Sequence, residues 1–177
     1  MTKRRLDQLD VAGKKVLVRV DFNVPIDQGI DGIDLYDQRL RATLPTIHYL
    51  IDQGSKIVLC SHLGRPNGEV VEELRLEPVG DRLAMLLDRP VRSVPDITGP
   101  VVAEAVSQMV SGDVLLLENL RFHPGEETND AAFACELANI VDCFVNDAFA
   151  VCHRAHASTD GITRYLPSAM GLSLIHI

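Results

Sequence analysis

A chain of 177 residues with 46% hydrophobic content can bury a core of its own, which excludes a disordered segment and suits one domain. A formal net charge of -8 argues against a general nucleic-acid or anionic-membrane surface, so an anion site here has to be a local cluster of arginines, and 5% aromatics without tryptophan leave little to stack bases on. Four cysteines without a C-x-x-C pair, an N-terminus without an apolar leader and no run of membrane length predict reduced thiols, no zinc, no membrane and a cytoplasmic setting.

Val16 to Val20 is β-branched and apolar around one arginine and reads as an interior strand, with Asp21 and Asn23 just past its end. Ile26 to Leu35, rich in Asp and Gly and without periodicity, reads as a surface loop. A helix is predicted over Tyr36 to Asp52 from Leu40, Leu44, Ile47, Leu50 and Ile51, capped by Asp34 or Asp37, kinked at Pro45 and stopped by Gly54. Lys56 to Cys60 is a second buried strand, running into Ser61-His62-Leu63-Gly64-Arg65-Pro66. Pro78 to Leu87 reads as a helix and Val91 to Val94 as a short strand; Thr98 to Met109 reads as a helix with Thr98 as N-cap and Pro100 near N1. Asp113 to Glu118 is a third strong strand, leading into Asn119-Leu120-Arg121. After a helix over Asn129 to Ile140, the strand Asp142 to Val145 feeds the stretch Asn146 to His156. Alternation of this kind predicts an α/β fold, an open parallel sheet with helices on both faces. No Pro/Gly/Ser linker divides the chain, so the one boundary expected falls at its C-terminal end.

Parallel strands point the same way, so the polar groups that follow four of them converge on one edge: Asp21 and Asn23, His62 and Arg65, Arg121, then His153, Arg154 and His156. Arg39, on the first helix, can join them. Taken singly, each has a plainer reading: Asp21 and Asn23 form an Asx turn, and a lone arginine is a solvated charge. Together, in an acidic chain, the arginines fit a small polyanion, because guanidinium forks bind phosphate and carboxylate bidentately. His153 and His156 stand at i, i+3 without a third ligand, so no metal is expected. Arg19 reads as a buried structural ion-pair residue, and His48 and His123 as structural. Neither G-x-x-x-x-G-K-[ST] nor G-x-G-x-x-G occurs, so a small phosphorylated molecule has a pocket here and a nucleotide has none.

The motifs R-V-D-F-N-V-P (Arg19 to Pro25), D-Q-R-L-R-A-T-L-P-T-I (Asp37 to Ile47), S-H-L-G-R-P (Ser61 to Pro66), L-L-L-E-N-L-R-F (Leu115 to Phe122), F-V-N-D-A-F (Phe144 to Phe149) and H-R-A-H (His153 to His156) resemble, in order and spacing, the N-terminal half of the phosphoglycerate kinase family. That resemblance implies a Rossmann-like three-layer domain over residues 1–172, with 173–177 as a tail foreign to the family, and a role in glycolysis: reversible phosphoryl transfer between ATP and the carboxylate of 3-phosphoglycerate. It implies contacts to 3-phosphoglycerate or 1,3-bisphosphoglycerate from Asp21, Phe22, Asn23, Arg39, His62, Leu63, Gly64, Arg65, Arg121 and Arg154. Asp21 and Asn23 would hold the glycerate hydroxyl, and His62, Arg65, Arg121 and Arg154 the 3-phosphate. Arg39 is the implied catalytic residue, stabilising charge on the transferring group. Mg-ATP or ADP would be bound by a C-terminal nucleotide domain of the same protein, monomeric at full length, and this chain alone would be inactive. Ala150 departs from the family, which carries glycine there. Two rival readings remain open, a free-standing binding domain for a small phosphorylated acid and a non-functional fragment.

Overall fold

The computed structural model describes residues 4–23 and 29–174, the side chains of 29–36 excepted. Among these residues six strands form one sheet: β1 (Lys15–Arg19), β2 (Lys56–Cys60), β3 (Val91–Ser93), β4 (Val114–Leu116), β5 (Cys143–Asn146) and β6 (Ser168–Met170). Their spatial order is β3-β4-β2-β1-β5-β6, and every pairing is parallel. Among the described residues four α-helices link β1 through β5 in turn: α1 (Gly29–Asp52), α2 (Glu77–Leu87), α3 (Pro100–Ser107) and α4 (Ala131–Asn139).

Side-chain alternation along β1 sorts the layers. Val16 and Val18 face one side, where they meet Leu40, Ile47 and Leu50 of α1 and Val79 and Leu83 of α2. Leu17 faces the other, with Val102 and Val106 of α3 and Phe133 and Leu137 of α4. Both faces of the sheet are therefore covered, which is why its central strands carry near-continuous apolar runs. Each fully buried Leu or Ile on them contributes about 1.5–3 kcal/mol. The same alternation puts Arg19 on the α3/α4 side at 1% exposure, where an unsatisfied guanidinium would be costly.

Some elements differ from expectation. Helix α1 already runs from Gly29, through most of the stretch read as a loop; its Gly and Asp residues are poor helix formers, so the local signal points away from the helix that the chain forms. Pro45 lies inside α1, and Gly54, at φ +68°, follows its end as expected. Helix α3 is capped by the Gly99 backbone rather than Thr98, whose hydroxyl instead donates to Glu136 (3.0 Å), while Pro100 takes the first turn. Strand β6 had no sequence signal: three residues pair with β5 on one side and meet a single bridge from Arg5 on the other.

Candidate active site

Strands β4, β2, β1 and β5 are neighbours, and the four segments that leave their carboxyl ends enclose a cleft of about 220 Å³. The connection from β1 leads toward β2 and that from β5 toward β6, in opposite directions, so a crevice opens between β1 and β5 as expected at a switch point. Asp21, Asn23, Arg39, His62, Gly64, Arg65, Arg121 and Arg154 all line it, joined by Ala150 and Val151. A wider groove of about 430 Å³ near β6, lined by Phe144, Phe149, Met170 and Leu174, holds one arginine, Arg4, and lacks such a concentration of charge.

The two other candidates are not brought into the cleft. Phe22 and Leu63 are buried in the core, at 0% and 2% exposure, because alternation turns them inward between the polar residues of their segments. Their backbone N–H groups are also committed, Phe22 N to Ser61 Oγ (3.0 Å) and Leu63 N to Asn119 Oδ1 (3.2 Å).

Three hydrogen bonds frame the cleft. Arg39 Nη1 donates to Asp21 Oδ2 (2.5 Å), Gly64 N donates to Asn23 Oδ1 (2.9 Å), and Arg121 Nη1 donates to the Gly64 carbonyl (2.7 Å). Gly64 thus ties the loops after β1, β2 and β4 together from a left-handed backbone (φ +62°), where an added Cβ would meet Leu74 at 2.7 Å. Arg121 is buried and pairs with Glu127 (3.0 Å); burial lowers its pKa. Among the described residues, the guanidinium groups of Arg65 and Arg154 have no hydrogen-bond or ion-pair partner, so both present uncommitted donors to the cleft.

His62 is buried, and desolvation followed by the nearby Arg19 pushes its pKa down to about 2; Arg121, His156 and Arg154 act in the same direction. It is neutral at any ordinary pH. Its Nδ1 lies 2.9 Å from Arg19 Nη2. The structural reading of Arg19 holds in burial, but its direct partners are neutral: Ser158 Oγ (3.0 Å), the Val20 carbonyl and His62. His156 is buried 3.9 Å from Glu126, His153 is exposed, and His123 stacks on Phe133 (3.9 Å between ring centres).

Sequence reasoning passed over the residues that hold the arginines rather than present them. Asn119 accepts from Leu63 N and Arg121 N and donates to the Leu63 and Leu74 carbonyls; Ser61 bonds across to β1 through Phe22 N and the Val20 carbonyl. Their signal was present: a small or amide side chain set immediately after a buried strand. Among the described residues no group of three or more His, Cys, Asp or Glu is placed to hold a metal ion, and no helix is long and apolar enough to cross a membrane.

Residues 6–176 match the family model described as phosphoglycerate kinase. A phosphoglycerate kinase of Moorella thermoacetica is 54% identical over 175 residues, an alignment that covers 98% of this chain and 44% of that protein. The crystal structure of phosphoglycerate kinase from Pyrococcus horikoshii OT3 superposes with a TM-score of 0.86 at 36% identity, covering 97% of this chain and 43% of its own. The structure of phosphoglycerate kinase from Coxiella burnetii gives 0.82 at 33% identity, covering 98% and 42%. The chain therefore spans less than half the length of these relatives.

Proposed function

The chain belongs to the phosphoglycerate kinase family, and from that premise we propose that residues 1–172 bind 3-phosphoglycerate as the acceptor half of a kinase that moves a phosphoryl group between ATP and the substrate's carboxylate. The observation that carries this reading is the pair of uncommitted guanidiniums, Arg65 and Arg154, set with Arg121 and His62 around one small cleft whose other residues include the Asp21 and Asn23 acceptors. A phosphate takes the arginine end, where bidentate charge-assisted bonds are available. The substrate hydroxyl donates to Asp21 or Asn23. At about 220 Å³ the space is smaller than the roughly 300–1,000 Å³ of drug-sized pockets, which suits a compact phosphorylated acid.

Arg39 enters from α1 beside Asp21. In the proposed transfer its guanidinium neutralises charge on the moving phosphoryl group, a contribution of the kind worth about 10³-fold or more in rate. We assign the nucleotide donor and its Mg²⁺ to the part of the longer relatives that lies outside the match, since the alignment covers 44% of the Moorella thermoacetica protein. Titration calorimetry of the 177-residue chain with 3-phosphoglycerate at low ionic strength tests the reading. Saturable heat is expected. A chain shown to be folded by circular dichroism that gives no heat overturns it.

A further inference from the structure

Behind the cleft lies a chain of buried groups that does not line it. Glu126, at 0% exposure, accepts from Ser158 Oγ (2.5 Å) and from Ser158 N (3.1 Å). Because the Ser158 proton goes to the carboxylate, its oxygen is left to accept from Arg19 Nε (3.0 Å). Arg19 then reaches His62 Nδ1 with Nη2 (2.9 Å) while Nη1 donates to the Val20 carbonyl. A carboxylate with no exposed surface and a guanidinium at 1% exposure face each other through one hydroxyl. A buried arrangement of this kind costs desolvation unless every member is satisfied.

The direction of each bond follows from the donor inventory. A guanidinium has donors only, so His62 Nδ1 has to supply a lone pair. A neutral imidazole has one N–H, which is then on Nε2. The other tautomer would set two donors against each other at 2.9 Å and turn a lone pair toward an incoming anion. The charged and titratable groups around the ring are Arg19, Arg121, Arg154 and His156, and all of them disfavour an imidazolium.

We infer that Arg19, seated by Ser158 and Glu126, is a positioning residue that holds His62 as a neutral donor with its proton on Nε2, available to the anion in the cleft. This rests on the reading of the cleft as a phosphate site. Arg19 does not line the cleft, so its effect on ligand passes through the imidazole.

The test is nitrogen NMR of the 177-residue chain with ¹⁵N-labelled histidine, His62 being assigned by its loss in His62→Gln. From about pH 5 to 8 the wild type is expected to show a protonated Nε2 and a bare Nδ1. Arg19→Met, similar in bulk but without a donor, should give mixed tautomers and lower 3-phosphoglycerate affinity by about tenfold, the loss of one charge-assisted bond. Arg19→Lys, which keeps a donor for Nδ1, should restore the single tautomer and most of the affinity. Ser158→Ala unseats Arg19 without removing its charge and should shift the tautomer part of the way; it decides the matter if Arg19→Met does not fold. A wild-type proton on Nδ1, or an unchanged Nε2–H form in every folded variant, overturns the inference. A wild type whose tautomer responds as described but which binds no 3-phosphoglycerate overturns the functional reading and leaves the role of Arg19 standing.

Discussion

At the scale of single residues, the cleft separates charges that are held from charges that are free. Arg65 and Arg154 are free of partners among the described residues, whereas Arg41, on the outer face of α1, reaches Asp37 at only 3.9 Å and is largely exposed. Arg65→Ala is therefore expected to weaken 3-phosphoglycerate binding by roughly 1–3 kcal/mol and Arg41→Ala to leave it unchanged; equal losses in calorimetry would indicate a diffuse field rather than a shaped site. Asp147 belongs to stability. It is buried at the end of β5, with Oδ1 accepting from Ser173 N (3.0 Å) and Ser173 Oγ (2.6 Å) and Oδ2 without a partner. Desolvation pushes its pKa up to about 6 from the ordinary 3.8, against the lowering effect of Ser173 and Thr46. Between these values the folded chain retains a proton that the unfolded chain has released, so this group's contribution is full below the window and is lost as pH rises through it. Asp147→Asn should therefore stabilise the protein at pH 7 by on the order of 1–3 kcal/mol. His62 runs the opposite way, since its pKa is lowered and its contribution is lost as pH falls below 6.5. The Asp147→Asn protein, relieved of the compensating group, should lose stability more steeply on acidification than wild type. Urea titrations at several pH values check both signs, and a less stable variant at pH 7 would show that the carboxylate is satisfied.

Among the elements, strands were the most legible. Lys56–Cys60 has the bounds expected, and β1, β3, β4 and β5 differ by a residue or two at their ends, because a buried parallel strand is a continuous apolar run bounded by polar turns. Strand β6 was silent since its three residues, Ser168-Ala169-Met170, owe their place to pairing with β5 rather than to a pattern of their own. Phe22 and Leu63 show the matching limit at the site: motif membership marks a segment, while alternation decides which of its side chains reach the cleft. Capping illustrates the same difference in energetic terms. Asp130 precedes α4 and its Oδ1 accepts from Phe133 N at 2.8 Å, a specific bond to a helix-end donor. Thr98 does not cap α3 and spends its hydroxyl on an exposed carboxylate. Asp130→Ala should cost about 1 kcal/mol and Thr98→Ala only a few tenths. Thermal denaturation of the two variants distinguishes these roles, and equal shifts would mean that the Asp130 bond is not the cap it resembles.

Over the whole molecule, the strand order β4-β2-β1-β5 brings four distant segments to one edge, and the arginine-lined cleft they enclose is the one we propose for the phosphoryl acceptor. The 177-residue chain is therefore expected to bind 3-phosphoglycerate and to show no ATP-dependent phosphorylation of it. Fusion to the unmatched portion of the Moorella thermoacetica relative should restore turnover, because the alignment covers 44% of that protein and the proposed nucleotide site lies outside it. Holding donor and acceptor in line is the main part of such catalysis, worth about 7–11 kcal/mol, and closure of two parts around the substrate is one way to supply it. Within the fusion, Arg39 should behave unlike Arg65. Arg39 is held by Asp21 at 2.5 Å, with 36% of its side chain exposed at the cleft, so its charge is already oriented before substrate arrives. A charge that acts chiefly on the transferring group strengthens its interaction in the transition state, and its removal lowers kcat far more than it raises KM. Arg65→Ala, by contrast, removes a contact made equally to bound substrate and transition state, and should raise KM with little change in kcat. Steady-state kinetics of the two variants in the fused protein read this division directly. A change in KM alone at Arg39 would place it with the phosphate-binding arginines, and turnover of ATP by the isolated chain at a rate near that of the fusion would mean that the donor site lies within these residues.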